Sequence, residues 1–180
     1  NNSCGARSIR YGNMVHNVRS VEALLADGSK VHFGPSNGSV LTPAIPDYLL
    51  EGLLDLGKRE AEEITNRFPD LLRRVGGYNI DALIQKQPNF GHLLVGSEGT
   101  LAFFQRIHLD LQPLPSHKVL GICHFPSFYA AMDCTQHIVK LNPAAVELVD
   151  RTMIDLARDI PLFAPTVERF VKGGPQALLL

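Results

Sequence analysis

The 180-residue chain has almost no net charge and no long apolar run, and each of these absences excludes a class of function. Its 17 basic and 18 acidic side chains give a net charge of −1 and a pI of about 6.7. Because no basic stripe stands out, the sequence excludes nucleic acid as the main partner. No apolar run approaches the ~20 residues that span a bilayer, so no transmembrane segment is predicted.

Cysteine is also scarce, and its spacing excludes two kinds of site. Cys4, Cys123 and Cys134 fit neither a disulfide framework nor a CxxC metal site. The 7 histidines show no metal-ligand spacing either, so we predict no metal ligand within the chain. Unpaired thiols are typical of a reducing compartment, which predicts a cytoplasmic protein.

Apolar residues, by contrast, are plentiful. Hydrophobic side chains make up 45% of the sequence, which is enough for a real core. The chain starts inside a polar turn and stops in an apolar run, residues 176–180, whereas termini are usually polar and frayed. We therefore interpret the sequence as a fragment of a longer polypeptide.

The chain is organised around residues 93–111, LLVGSEGTLAFFQRIHLDL. Two glycines bracket a turn in this stretch, and they let backbone N–H groups approach a polyanion such as a pyrophosphate. Taken alone the turn is weak evidence, because most Gly-Ser-x-Gly turns are only turns. The alternation that follows predicts a strand with one buried face, made of Leu101, Phe103, Ile107, Leu109 and Leu111.

A hairpin and a long helix are predicted before that stretch. Asp27-Gly28 between two alternating runs indicates a type I′ hairpin turn, and Gly57 is expected to kink or split the helix. The predicted elements are, in order, a loop (1–17), two strands (18–26 and 30–33), the helix (46–68), a glycine turn (76–79) and a short helix (80–83).

The pattern changes after residues 113–116, where two prolines indicate a stiff linker. The order βαβααβ then predicts part of a split βαβ, ferredoxin-like layer, and with it an α+β fold class. Its last strand is expected to be an exposed edge. The predicted elements are strands at 119–125, 145–150 and 177–180 and helices at 127–141, 152–158 and 166–172. The first helix should turn inward Phe128, Ala131, Met132, Thr135, Ile138 and Val139.

Three glycine turns, taken in order, carry a resemblance to a known family. The first turn is Asn2-Ser3-Cys4-Gly5, followed by Arg10-Tyr11-Gly12-Asn13. The second is Gly76-Gly77-Tyr78-Asn79, and the third is Gly96-Ser97-Glu98-Gly99-Thr100-Leu101. They resemble the ordered motifs of FAD-linked 2-hydroxyacid oxidoreductases of the vanillyl-alcohol oxidase superfamily, relatives of glycolate oxidase, D-lactate dehydrogenase and D-2-hydroxyglutarate dehydrogenase.

Two further stretches are similar to the same family. Residues 109–115, LDLQPLP, resemble the strand that ends its FAD domain, and residues 145–151, AVELVDR, resemble a strand of its cap domain. The resemblance implies that residues 1–113 are the second half of a VAO/PCMH-type FAD-binding domain, an antiparallel sheet with flanking helices. Residues 114–117 would be the linker, and residues 118–180 the start of a ferredoxin-like cap domain.

The resemblance implies FAD as the cofactor and a small D-2-hydroxy acid as the substrate. The flavin would accept a hydride from the carbon that bears the hydroxyl group, and the electron acceptor and any homo-oligomeric state stay open. Because no Lys or Arg lies in the third turn, backbone N–H groups would bind the pyrophosphate. The implied cofactor-binding residues are Asn2, Ser3, Cys4, Gly5, Gly96, Ser97, Glu98, Gly99, Thr100 and Leu101, and no catalytic residue is assigned.

The chain departs from the family pattern at Cys4 and Ala102, where many members have glycine. The two departures favour an alternative, a degenerate module that binds a ligand or a subunit. A further alternative is a fragment without activity of its own, because half of the cofactor contacts that the resemblance implies are missing from the chain.

Several single residues keep two interpretations. Glu98 either contacts a ribose or caps its own turn by accepting a local N–H. Tyr78 and Asn79 are expected to stabilise their turn rather than touch a ligand, and His16 to be a structural hydrogen-bond partner. His92 faces either solvent or cofactor.

In the second half, Glu147 and Asp150 fall on opposite faces of their strand. A shared catalytic role is therefore not expected, and we predict an inward Glu147 paired with an arginine.

Overall fold

A computed structural model of the chain describes residues 1–3, 5–36, 44–71 and 73–180. It divides into two compact units, Asn1–Gln112 and Pro113–Leu180, each with its own sheet. Both units are mixed α/β structures with a small three-stranded antiparallel sheet, in agreement with the expected fold class. Within the described ranges, no helix combines the length and the apolar character needed to cross a bilayer.

The first unit begins with two one-turn helices, α1 (Ser8–Tyr11) and α2 (Met14–Asn17), where a loop was predicted. The predicted hairpin follows as β1 (Val18–Leu24) and β2 (Lys30–Phe33). Its turn is not type I′, because that type needs two consecutive positive φ angles and only Gly28 has one, at 82°. A three-residue loop connects the two strands instead. The N–H of Leu25 donates to the carbonyl of Ser29, and the N–H of Gly28 donates to the carbonyl of Leu25, both at 2.9 Å.

The predicted long helix is split, but not at Gly57. Helix α3 (Asp47–Arg59) runs through Gly57 and is separated from α4 (Ala61–Arg67) by Glu60. Gly57 is buried because α3 approaches the 3-10 helix Ile80–Ile84 at that point. A Cβ on Gly57 would lie 3.0 Å from both the Cβ and the carbonyl oxygen of Leu83. The glycine therefore serves close helix packing rather than a helix break.

The sheet of the first unit has the order β2-β1-β3, with β3 at Phe103–Leu109. Helix α5 (Phe90–Leu94) packs on β1 and completes the core. Because β1 is the central strand, most of its side chains are buried. The core consists of Val18, Val21, Ala23, Val31, Phe33, Leu83, Phe90, Leu93, Leu94, Val95 and Ala102.

The prediction of one buried apolar face on β3 is wrong. Phe103, Ile107 and Leu109 are 69%, 47% and 44% exposed, and Phe104 packs against the core instead. The ladder with β1 slips between the pairs Glu22–Arg106 and Ala23–Phe104, which leaves Gln105 as an extra residue in β3. Such a bulge moves Phe103 to the face opposite Ile107, so simple alternation no longer describes the strand.

The second unit contains β4 (Cys123–Phe125), α6 (Phe128–Ile138), β5 (Leu148–Asp150), α7 (Arg151–Asp159), α8 (Ala164–Phe170) and β6 (Ala177–Leu179). Strand β6 lies between β4 and β5 and is antiparallel to both, so β4 and β5 are parallel to each other. This is the predicted split βαβ arrangement. The expected exposed edge is wrong, because β6 is the central strand and all three of its residues are buried.

Two other predictions in this unit are only partly correct. The first strand starts at Cys123, and Val119 is 97% exposed. In α6, Ala131 is fully buried against β6, but Phe128 and Met132 are about half exposed. Val139, 40% exposed, follows in a 3-10 turn. A three-stranded sheet covers only a narrow stripe of a helix, so the edges of the predicted apolar face stay open.

The two glycines of α3 give a matched test of the packing at Gly57. We expect Gly57→Ala to lower the free energy of unfolding by about 1 kcal/mol, because overpacking exceeds the gain in helix propensity. Gly52 is exposed, with nothing within 4 Å of a Cβ placed there. Gly52→Ala should therefore raise stability by about 0.5–1 kcal/mol. Urea unfolding would measure both, and equal effects would contradict the close approach.

Candidate functional site

The three glycine turns meet in the first unit. Gly96 has a φ of 88°, and a Cβ placed on it would lie 3.4 Å from both the Cβ of Asn2 and the carbonyl oxygen of Gly77. A side chain at Gly96 would therefore be strained by its backbone angle, and its Cβ would be in van der Waals contact with the other two turns. The structure thus brings together three motifs that are far apart in the sequence.

The third turn presents backbone donors at its tip. Gly96, Glu98 and Gly99 all have positive φ angles, 88°, 50° and 81°. Thr100 closes the turn, donating from its N–H and its hydroxyl to the Ser97 carbonyl at 3.0 and 2.6 Å. The N–H groups of Glu98 and Gly99 have no hydrogen-bond partner among the described residues. Successive free N–H groups of this kind form a concave site for an anion.

The first turn is fixed by α2. Asn2 is buried, and its Oδ1 accepts a hydrogen bond from the N–H of Val15 at 3.0 Å. The carbonyl of Ser3 accepts from the N–H of Met14 at 3.1 Å, and Gly5 is exposed. Cys4 lies outside the described residues, so its predicted contact remains a prediction. Asn2 and Ser3 are therefore held rigidly beside Gly96.

Two buried side-chain atoms at this junction lack partners in the described part of the chain. They are Nδ2 of Asn2 and Oγ of Ser97, whose residues are 4% and 1% exposed. Buried polar groups nearly always make a hydrogen bond, so an unpartnered pair beside free backbone donors indicates a missing polar partner. The oxygen-rich pyrophosphate of the expected FAD fits such a set of donors, and the residues present are compatible with that cofactor.

Residues 98–101 of the third turn are all exposed, whereas Ser97 is buried. Glu98 is exposed, and its carboxylate accepts no hydrogen bond from a described residue, so the interpretation as a local cap is wrong. Leu101 is 37% exposed and precedes the buried Ala102. The contact of Glu98 with a ribose stays a prediction.

The second turn holds the third, as the sequence predicted for Tyr78 and Asn79. The Tyr78 hydroxyl lies 2.7 Å from Oγ1 of Thr100. Nδ2 of the buried Asn79 donates to the carbonyls of Val95 and His92 at 2.7 and 3.1 Å. Both residues therefore stabilise turns through hydrogen bonds within the chain.

A groove of about 830 Å³ in the first unit was not predicted from the sequence. His16, Arg74, Asp81 and His92 are among its lining residues, and the described candidate cofactor residues are not. Arg74 pairs with Asp81 at 2.5 Å, and Nδ1 of His16 accepts from the N–H of Asn13 at 2.9 Å, which confirms the structural role expected of His16. The lining residues are far apart in the sequence, so no local motif could predict the groove.

His92 lies in this groove and is held by the sheet. Its Nε2 donates to the carbonyl of Val18 at 3.1 Å. Burial lowers the pKa of His92 below the usual value of 6.5, and the nearby His16 lowers it further. The Val18 hydrogen bond and the Asp81 carboxylate oppose that shift in pKa only in part. The neutral ring is therefore the favoured form in the folded protein.

In the second unit, the expected pairing of Glu147 is wrong. Glu147 is exposed and has no ion pair with a described arginine, while its main chain exchanges hydrogen bonds with Leu180 at 2.8 and 3.0 Å. The neighbouring Arg151 pairs with Asp155 at 2.7 Å. Asp150 caps α7, accepting from the N–H of Met153 at 2.8 Å. Across the described ranges, no three His, Cys, Asp or Glu residues cluster as metal ligands would.

Lowering the pH should destabilise the fold through His92. The unfolded chain binds a proton at His92 near pH 6.5, whereas the folded protein resists it. The unfolded state therefore binds more protons, and the free energy of unfolding falls as the pH drops from about 7 to about 5. Equilibrium unfolding at several pH values would show this slope, and His92→Gln should reduce it.

His117→Gln is the matched control, because His117 is exposed in an irregular segment. It should leave the slope unchanged. An equal slope in the wild type and His92→Gln would show that His92 does not cause it.

Comparison with known proteins gives one family match, in the second half of the chain, and several curated relatives. Residues 114–178 match the sequence model of the family described as FAD linked oxidases, C-terminal domain. The chain is 27% identical over 163 residues to D-2-hydroxyglutarate dehydrogenase of Pantoea ananatis, which covers 86% of this chain and 16% of that protein. It is 26% identical to D-lactate dehydrogenase of Archaeoglobus fulgidus, over 99% of this chain and 30% of that protein.

A third relative matches a shorter stretch. The "D-lactate dehydrogenase [cytochrome], mitochondrial" of Arabidopsis thaliana is 38% identical over 64 residues, 34% of this chain and 11% of that protein. The chain thus spans less than a third of the length of each of these curated relatives. These matches agree with the family resemblance drawn from the sequence, and the family model itself covers residues 114–178, which lie after the three glycine turns.

Proposed function

Because residues 114–178 belong to the FAD-linked oxidase family, whose cofactor is FAD, we propose that the chain is part of a dehydrogenase that oxidises a small D-2-hydroxy acid. Bound FAD would supply the redox chemistry, accepting a hydride from the carbon that bears the substrate hydroxyl. The chain's own residues bind and orient the cofactor. The names of the relatives, D-2-hydroxyglutarate and D-lactate dehydrogenases, support this class of substrate.

The meeting of the three glycine turns is the observation that carries this proposal. The N–H groups of Glu98 and Gly99 are free in the described structure, and Nδ2 of Asn2 is a buried donor without a partner. Asn2 is a neighbour of Gly96, because a Cβ placed on Gly96 would lie 3.4 Å from the Cβ of Asn2. The full proposed set is the sequence-predicted one, Asn2, Ser3, Cys4, Gly5, Gly96, Ser97, Glu98, Gly99, Thr100 and Leu101.

Within this proposal the chain carries two partial domains. Residues 1–113 form the second half of an FAD-binding domain, residues 114–117 the linker, and residues 118–180 the beginning of a cap domain. The separate sheets of the two compact units support that assignment. The proposal includes a cytoplasmic location for the protein. A cytochrome is a candidate electron acceptor, because the name of one relative includes the word cytochrome.

The first experiment is a visible absorption spectrum of the full-length protein. We expect a flavin band near stoichiometric level, release of FAD on denaturation, and bleaching of the band by D-lactate or D-2-hydroxyglutarate but not by the L-enantiomers. A colourless protein that cannot be reconstituted with FAD would overturn the proposal. The alternative, a module that binds a ligand or a subunit without redox chemistry, would then be favoured.

A glycine substitution should connect the flavin to this site. We expect Gly96→Ala to reduce bound FAD about tenfold, because the φ of 88° costs an alanine about 1–2 kcal/mol. Gly121→Ala is the control, since nothing lies within 4 Å of a Cβ at that position. Flavin-to-protein absorbance ratios would measure both. Full flavin content in Gly96→Ala would exclude the junction as the cofactor site.

A further inference from the structure

Tyr78 and Asn79, neighbours in the second turn, bind opposite ends of the third. The Asn79 amide donates to the His92 and Val95 carbonyls, just before Gly96. The Tyr78 hydroxyl contacts Thr100, four residues after Gly96. Two adjacent side chains therefore span the segment that contains the free N–H groups of Glu98 and Gly99.

The direction of the Tyr78 hydrogen bond follows from its neighbours. The Ser97 carbonyl can only accept, so the Thr100 hydroxyl gives it its single proton at 2.6 Å. The Thr100 oxygen must then accept from Tyr78, whose hydroxyl lies at 2.7 Å. The result is a directed chain from the phenol through Thr100 to the backbone of Ser97, and hydrogen bonds in such a chain strengthen one another.

Asn79 is fixed just as firmly. It is 3% exposed, and its Nδ2 uses both of its hydrogens on carbonyls of the chain. An amide with both protons donated has one orientation only. The stretch that enters the third turn is therefore held as rigidly as the stretch that leaves it.

The segment between these anchors has an unfavourable backbone. Glu98 has a φ of 50°, in the left-handed region where a residue with a Cβ is strained. Such a conformation persists only where the surroundings impose it. The Glu98 side chain makes no hydrogen bond or ion pair with a described residue, so the hydrogen-bonded anchors on either side are the restraint that the structure shows.

We infer that Tyr78 and Asn79 are positioning residues that set the direction of the Glu98 and Gly99 N–H groups toward the pyrophosphate of FAD. This inference rests on the proposed function and adds a role for residues that do not themselves touch the cofactor. Preorganised donors bind an anion more tightly than mobile ones, because less conformational freedom is lost on binding. The hydroxyl of Tyr78 then contributes to FAD affinity at a distance.

Tyr78 can be altered without touching the core. It is 44% exposed and lies outside both apolar clusters, so Tyr78→Phe removes one hydrogen bond and little packing. Tyr48→Phe is the matched control. Tyr48 is 66% exposed on α3, and its hydroxyl has no hydrogen bond to any described residue.

The test is FAD titration of the flavin-free full-length protein, followed by fluorescence. We expect Tyr78→Phe to raise the Kd for FAD about fivefold, because the less restrained donors must be ordered on binding, with the melting temperature of the flavin-free protein lowered by no more than a few degrees. Thr100→Val, which removes the acceptor of the Tyr78 hydrogen bond, should have a similar or larger effect. Tyr48→Phe should leave the Kd unchanged.

Hydrogen exchange separates positioning from a simple loss of stability. In the flavin-free protein, the amide of Thr100, which donates to the Ser97 carbonyl at 3.0 Å, should exchange faster in Tyr78→Phe, while core amides such as that of Val21 stay protected. A wild-type protein that binds no FAD would overturn the proposed function and this role together. Wild-type affinity in Tyr78→Phe would overturn the positioning role alone.

Discussion

Three turns from distant parts of the sequence meet at Gly96, which is in close contact with Asn2 and Gly77. The constraint at this point is its φ of 88°, a backbone angle that favours glycine. Everything proposed for the site follows from that contact, because it sets the free N–H groups of the third turn beside the buried amide of Asn2. The donors are neutral dipoles rather than charges, so their attraction for an anion acts at short range and is screened little by salt.

Local sequence patterns predicted the parts of this site but not how they are held. The three turns could be named in advance because glycine, serine and asparagine dictate backbone shape over four or five residues. The hydrogen bond from Tyr78 to Thr100 and the two from Asn79 join residues 13–22 positions apart, and no local pattern encodes such contacts. The groove beside His92 was missed for the same reason, because its lining residues come from separate elements.

The same contrast explains the fold. The hairpin of β1 and β2 and the split βαβ order were correct because both depend on alternation and element sequence. The buried face of β3 was wrong because one extra residue, Gln105, reverses the alternation, and a single-residue bulge leaves no mark in the pattern. The helix break predicted at Gly57 was wrong because the sequence pattern does not distinguish a glycine that breaks a helix from one that lets another element pack closely against it.

Because β6 is the central strand of its sheet but the last one synthesised, the sheet cannot assemble in the order in which its strands are made. Strands β4 and β5 are made first, yet each bonds only to β6 and neither bonds to the other. During translation at about 5–20 residues per second, β4 would wait several seconds for its partner while Ala131 and Leu148 remained uncovered. The nascent chain therefore carries two open strand edges until the end of β6 leaves the ribosome, a period when a chaperone would be of use.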